Sequence, residues 1–560
     1  MSRRARTPAF SSIARARYAT GRVLGRVVIL VLAMAVGLLL TDRLLLRGPP
    51  DRENGAAQSQ TQGPSYRSEP APARSGRQSV AVLPFPAMSN GPDDDYFADG
   101  LTEEIIDALA RLPQLLVTAR TSAFHFRNQS LPVDDIARRL GVDHVVEGSV
   151  SRAGSQLRIA VRLSRASDGF LLWSHSYDRR TEDTLAVRDD IARRVAEALD
   201  VVLDDGSRAR MAGAGVGNPE ALIEFQKGRE LFERAHGSDM LISLLRQANR
   251  HFANAVAIAP DFPDAYLAMT DLHRHVLVRR GNGVLDGDIS GADIERAPVE
   301  LERNFSLAIR HARTEGQRLA AAFDRALALG RWAGLSTLAD RLLVERECET
   351  ALSIQLAAAP FGKGGALNRT LSRISACDPL QRRVRANMMR TRLWQGDFAG
   401  ALADGERMRD TVATDSAGGM RSLAMTLALN HRSGEARQLS RARQQPENVR
   451  LISRFSIAAL EGDAEAAASM QQDYLHAFGP DDGWSLVMEA QRGNRNEADR
   501  LARIMDARPF GYVSLLQAVF RCYCGAPFDL DATPDFAARL AGSGLPWPPA
   551  SPINFPLKHW

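Results

Sequence analysis

Asp95–Leu109, DYFADGLTEEIIDAL, opens a helix soon after the apolar run Ser79–Phe85, SVAVLPF. A strand, an acidic turn and a helix in that order build either a nucleotide site or a plain binding module. The turn discriminates between them. A phosphate loop needs several glycines whose backbone N–H groups reach the anion, and usually a lysine. Here Gly91 and Gly100 are accompanied by Asp93, Asp94, Asp95 and Asp99, whose charge repels a phosphate. Asp93–Asp95 reads as a solvated face, with a cation or a basic partner as the alternative. Leu101, Ile105, Ala108, Leu109 and Leu112 align on one helical face. Asp99 is placed to cap that helix, with Glu103 and Glu104 in its first turn.

Outward from this pair, LLVTAR (115–120) reads as a second strand, which makes the unit βαβ. PVDDIARRLG (132–141) reads as a short helix that Gly141 terminates. HVVEGSVSRAG and QLRIAVRLSRASDG are strands joined by a glycine turn, and Leu157, Ile159, Val161 and Leu163 alternate along the second. FLLWSHSYDR is a further strand, followed by an amphipathic helix over about 184–203. The expected fold class is α+β, mostly α.

These blocks, in this order over about 79–203, resemble the TolB-like amino-terminal domain of bacterial membrane regulators. That domain occurs downstream of winged-helix or adenylate-cyclase modules and upstream of tetratricopeptide repeats. The resemblance implies a non-catalytic α/β module for protein interaction or sensing.

A linker over 204–219 leads to a helical region over 220–543. It resembles tetratricopeptide repeats, whose second helix asks for small residues, a bulky residue and a terminating proline at fixed spacing. Ala248, Phe252, Ala255 and Pro260 meet that spacing. Small alanines let helices approach, the phenylalanine fills the groove between them, and the proline stops the helix. GDFAGAL, HRSGEARQL, GDAEAAASM and GNRNEADRL repeat a turn and a helix start, aligning Ala401, Ala436, Ala467 and Ala498. The segment 297–375 fits the pattern poorly. The Pro-rich tail 544–560, GLPWPPASPINFPLKHW, cannot be helical and is expected to cap the last helices.

The N-terminus suggests a membrane. Six arginines and no acid precede an apolar stretch within residues 23–46, long enough to span if Arg26 snorkels. The expectation is a basic cytoplasmic tail (1–22), a transmembrane helix (23–46), a flexible linker (47–78) and a periplasmic remainder. A single-pass inner-membrane protein follows. No small-x-small cleavage site follows the apolar core, which argues against a signal peptide.

The chain is 45% hydrophobic and 24% charged, with net charge +5. These are ordinary globular values, and no basic recognition helix marks a nucleic-acid surface. Catalytic patterns are near misses. Gly362-Lys363-Gly364 lacks the upstream glycine and the following Ser or Thr of a P-loop. Asp286, Asp288, Ser290 and Gly291 match the start of a calcium loop, but its closing position is Ala297 and Glu295 falls two residues early. Cys348, Cys377, Cys522 and Cys524 are candidate disulfide partners, with Cys348–Cys377 and Cys522–Cys524 one arrangement and free thiols the alternative. His125, His144 and His175 read as structural or surface histidines. The reading assigns no catalytic, cofactor or metal residue and no nucleic-acid partner. It expects a scaffold or sensor that binds a protein or peptide on the α/β domain and the helical surface. A regulatory component working with an adenylate cyclase or transcriptional effector in trans is the alternative.

Overall fold

The computed structural model describes residues 77–560 apart from 214, 237, 239, 284–287, 346–347, 349–350, 412–416, 443–444 and 480–481. These lie within one compact unit, Pro72–Trp560. The expected tail, span and most of the linker, residues 1–76, lie outside the described residues. Among the described residues no helix is long and apolar enough to cross a membrane. The transmembrane element and the single-pass inner-membrane localisation are corrected accordingly and withdrawn.

A five-stranded mixed sheet opens the described chain: β1 (Gln78–Val82), β2 (Leu115–Val117), β3 (His144–Ala153), β4 (Gln156–Arg165) and β5 (Leu171–Arg180). The strand order is β2-β1-β3-β4-β5. β1 is parallel to β2 and β3, while β3, β4 and β5 form an antiparallel meander. α1 (Asp94–Ala110), α2 (Arg120–Phe124) and α3 (Val133–Leu140) serve the crossovers, and α4 (Thr184–Ala198) follows the meander. α1 and α4 cover one sheet face, where Val146, Val150, Ile159, Leu163 and Tyr177 are buried. α3 covers only one end of the other face, over Ala81, Leu83 and Val145.

The helix start is a correction. α1 begins at Asp94, five residues before the expected cap. Asp94 is buried and accepts the Gly91 N–H at 2.8 Å, so the acidic turn is the first turn of the helix. Asp99 lies inside the helix against Arg127. Glu104 pairs with Arg188 of α4 at 2.6 Å, both side chains almost fully buried. Gly141 does end α3, in the left-handed region at φ 67° that favours glycine.

After α5 (Asp205–Ala212) the chain is a succession of helices. The first are α6 (Pro219–Ala235), α7 (Leu241–Ile258), α8 (Pro263–Gly281), α9 (Gly291–His311), α10 (Glu315–Ala328) and α11 (Leu335–Val344). Next come α12 (Gln355–Ala358), α13 (Gly364–Cys377), α14 (Arg382–Trp394), α15 (Phe398–Thr411), α16 (Ala417–Leu429) and α17 (Ser433–Ser440). The last are α18 (Glu447–Glu461), α19 (Ala464–Phe478), α20 (Gly483–Gln491), α21 (Arg495–Asp506), α22 (Gly511–Cys522) and α23 (Pro534–Ser543). Most pack on their sequence neighbours.

α22 does more. It touches α8, α12, α20, α21 and α23, and nearly every residue along it is buried. Tyr512 Oη donates to the Ala328 carbonyl at 3.0 Å, and the Trp394 indole N–H donates to the Phe520 carbonyl at 3.1 Å. Trp332, 1% exposed, stands edge-on to Tyr512 and Phe536. The helical array therefore closes around its own C-terminal segment. The tail follows suit: Ile553 and Phe555 are buried, and Lys558 Nζ donates to the Cys524 and Ala526 carbonyls.

The α/β domain is fastened to the array at several places, among them Arg111, which donates to the Arg313 carbonyl at 3.2 Å. At Gly100 an added Cβ would lie 3.1 Å from Leu222 Cβ, so glycine sets the close approach of α1 to α6. Beside it, Glu103 meets Arg229 at 2.5 Å and Arg120 at 3.3 Å. Tyr96 donates to Glu230, and Asp93 pairs with Lys227 at 2.8 Å. A further fastening joins α2 to the loop after α13. Ser122 Oγ donates to Asp378, and the Ala119 N–H donates to the Cys377 carbonyl at 2.8 Å.

Candidate functional site: the open face of the sheet

Side chains alternate across a strand, so β3, β4 and β5 present a second row away from α1 and α4. Cross-strand register places Glu147 opposite Arg162, Ser149 opposite Ala160, and Ala160 opposite Ser176. Arg158 stands opposite Asp178. Arg162 grips Glu147 with two bonds at 3.1 and 3.2 Å, and Arg158 grips Asp178 at 2.7 and 3.2 Å. The result is a trough across three strands. Its floor is the small row Ser149, Ala160 and Ser176, and ion pairs form both walls.

The trough and the space beside the 126–131 loop and α3 form one open cavity of about 1180 Å³, lined also by Ser149, Ala160, Arg162 and Ser176. Phe126, Leu131 and Ile136 form its apolar back, with Arg127 and Asp95 at its edge. This arrangement can hold a polar chain by backbone and hydroxyl hydrogen bonds.

The structure places the remaining sequence-derived residues elsewhere. Ala248, Phe252 and Ala255 are buried along α7. Phe252 lies against Phe225, and its ring leaves no room for a side chain at Gly228. Pro260 lies just past the end of α7, and its carbonyl accepts from Tyr266. Ala401, Ala436, Ala467 and Ala498 are fully buried early in α15, α17, α19 and α21. Cys348 is joined to Cys377 with Cα atoms 6.2 Å apart, and Cys522 to Cys524 at 5.0 Å. Lys363 pairs with Asp340 at 2.6 Å, an ordinary ion pair. Ser290 caps α9 reciprocally with Asp293, while Asp286 lies outside the described residues.

His144 is buried with Nδ1 3.3 Å from the Ser79 carbonyl, and burial lowers its proton affinity. His175 lies parallel to Trp173 and edge-on to Tyr177 on the edge strand. None of these histidines meets a second ligand type. One group that the sequence reading missed does have metal-ligand proximity among the described residues: His236, Asp271 and His275. The i, i+4 spacing of Asp271 and His275 on a helix was the available signal. His236 lies 35 residues before Asp271, and only the packing of α6, α7 and α8 brings it near.

Comparison with known proteins singles out the sheet domain. Residues 76–195 match the family model described as HilA/YgeH-like transcriptional regulator, second domain. The match runs from β1 into α4 and thus covers all five strands. A protein of Rhizobium meliloti (strain 1021) named "Putative adenylate cyclase 3" is 32% identical over 229 residues. That alignment covers 41% of this chain and 38% of the relative. The chain thus carries a regulator-like domain and is related in part to a protein with a cyclase name.

Proposed function

We propose that this chain is a regulatory binding module without catalysis of its own. In this reading a TolB-like α/β domain is carried on tetratricopeptide-like helix pairs. An extended segment of a partner protein lies in the sheet trough. The observation that carries the reading is the bare polar face with its floor of Ser149, Ala160 and Ser176. Ion pairs of both signs border it, which suits a polar peptide better than a nucleic acid, whose phosphates call for an excess of basic side chains. The open cavity that includes the trough, about 1180 Å³, exceeds the roughly 300–1,000 Å³ usual for small-molecule pockets. The helical array is less available where α22 is buried against α8 and α12.

A regulatory component acting with an adenylate cyclase in trans is the same reading taken one step further. The relative's name favours it over a transcriptional effector, and the regulator-domain match favours the converse.

The test uses the full-length chain. A photo-crosslinking residue at Ser174 should capture one partner protein. The substitutions Ser149→Arg and Ser176→Arg should each abolish that capture and leave the circular dichroism unchanged. Capture that survives both substitutions defeats the trough. Conversion of ATP to a cyclic nucleotide by the purified chain defeats the non-catalytic reading.

A further inference from the structure

Three side chains that this reading does not use meet at the start of the helical array. His236 closes α6, and Asp271 and His275 stand one turn apart on α8. His236 Nε2 lies 3.1 Å and His275 Nε2 lies 3.5 Å from the same oxygen, Asp271 Oδ2. The three ligand atoms lie within 4.8 Å of one another. That carboxylate oxygen is shut off from solvent, and the two imidazole nitrogens are the polar atoms set against it.

The tautomer sharpens the problem. His236 Nδ1 is 2.8 Å from the Phe232 carbonyl oxygen. A carbonyl can only accept, so Nδ1 carries the hydrogen. A neutral His236 therefore aims the lone pair of Nε2 at a carboxylate lone pair. Two lone pairs at that separation repel unless a proton on Nε2 or a metal ion joins them. His275 turns a third donor atom to the same point.

We propose that His236, Asp271 and His275 bind a divalent transition metal of the zinc class, with water completing its coordination. Bonds of about 2.0–2.1 Å to tetrahedral zinc put neighbouring ligand atoms about 3.3–3.4 Å apart. The separations of 3.1 and 3.5 Å bracket that edge. The bond from Nδ1–H to a backbone carbonyl is the outer contact that orients metal-bound histidines. Two imidazoles and one carboxylate select zinc, copper or nickel over calcium or magnesium, which ask for several oxygens. Arg274, Arg279 and Arg383 lie close enough to act on these histidines electrostatically; their charge opposes any cation there, so binding rests on the donor atoms of the trio. The metal would join the end of α6 to the middle of α8. α6 is also the helix on which α1 rests.

Calorimetric titration of the untagged full-length chain with Zn²⁺ alone should show one equivalent bound, and zinc should raise the thermal midpoint. Co²⁺ in its place should give the visible absorption of a low-coordinate site. His275→Gln and Asp271→Asn should each weaken zinc binding by at least about tenfold, with circular dichroism confirming the fold. Cys522→Ser should leave it unchanged. No zinc binding by the full chain overturns the proposal. So does equal affinity in the His236→Gln/His275→Gln double variant, which would make the trio a protonated histidine pair on a carboxylate.

Discussion

The sheet and the helical array solve the same problem in opposite ways. Each is built from elements with one apolar side that must be covered. The sheet covers one face with α1 and α4 and leaves most of the other bare, lined by Ser149, Ala160 and Ser176 with ion pairs on both sides. The array stacks helices through small residues such as Ala401 and Ala498. A stack of that kind offers a long inner surface, and here α22 is buried against α8 and α12. An array of helices is therefore not in itself a binding groove; what matters is whether its own termini already lie in it.

The largest effect is expected where the array closes. Trp332→Ala removes the ring that joins α10 and α11 to Tyr512 and Phe536, at a cost of about 3–5 kcal/mol. Chemical denaturation should show it, and limited proteolysis should then cut near α22 while the sheet domain stays intact. Loss of the sheet domain first would break the comparison. Next comes Cys377→Ser. The Cys348–Cys377 link closes a loop of 29 residues, and opening it should cost about 3–4 kcal/mol by the chain-entropy account. A reductant titration of the thermal midpoint checks this. Ala248→Leu overpacks α7 against α6 near Gly228 and should cost about 1–3 kcal/mol, read from the denaturation midpoint.

The smallest effect lies at the junction and depends on pH. Burial pushes the Glu103 carboxyl up, but Arg229 and Arg120 outweigh it and hold the group below its ordinary range. A depressed carboxyl stabilises above its unfolded pKa of about 4.3, and the contribution is lost as pH falls through the folded value. Acid below about pH 4 should therefore loosen α1 from α6, and Glu103→Gln should remove that part of the pH dependence. Stability measured against pH for both proteins decides it; parallel curves would remove Glu103 from the junction.

Much of the sheet domain was legible because its signals are local. Leu157, Ile159, Val161 and Leu163 alternate, and Gly141 supplies a left-handed stop. The start of α1 was not legible. Asp99 satisfies the local rule for a cap, yet Arg127, 28 residues on, lets it sit inside the helix, while Asp94 takes the Gly91 N–H instead. The place of α22 was half legible. Tyr512, Val513, Leu515, Leu516, Ala518 and Val519 make that helix apolar on nearly every side, which signals burial, but nothing local says that its neighbours are α8 and α12. The trough was hidden for a related reason: Ser149, Ala160 and Ser176 come from three strands, and only the register aligns them.

Hydrogen exchange of the full-length chain, read by mass spectrometry, tests most directly whether α22 is buried within the array. The amides of α22 should be among the slowest in the protein, slower than those of the edge strand β5. Exchange along α22 as fast as along β5 would mean that the array stands open, and the assignment of binding to the sheet face would lose its foundation.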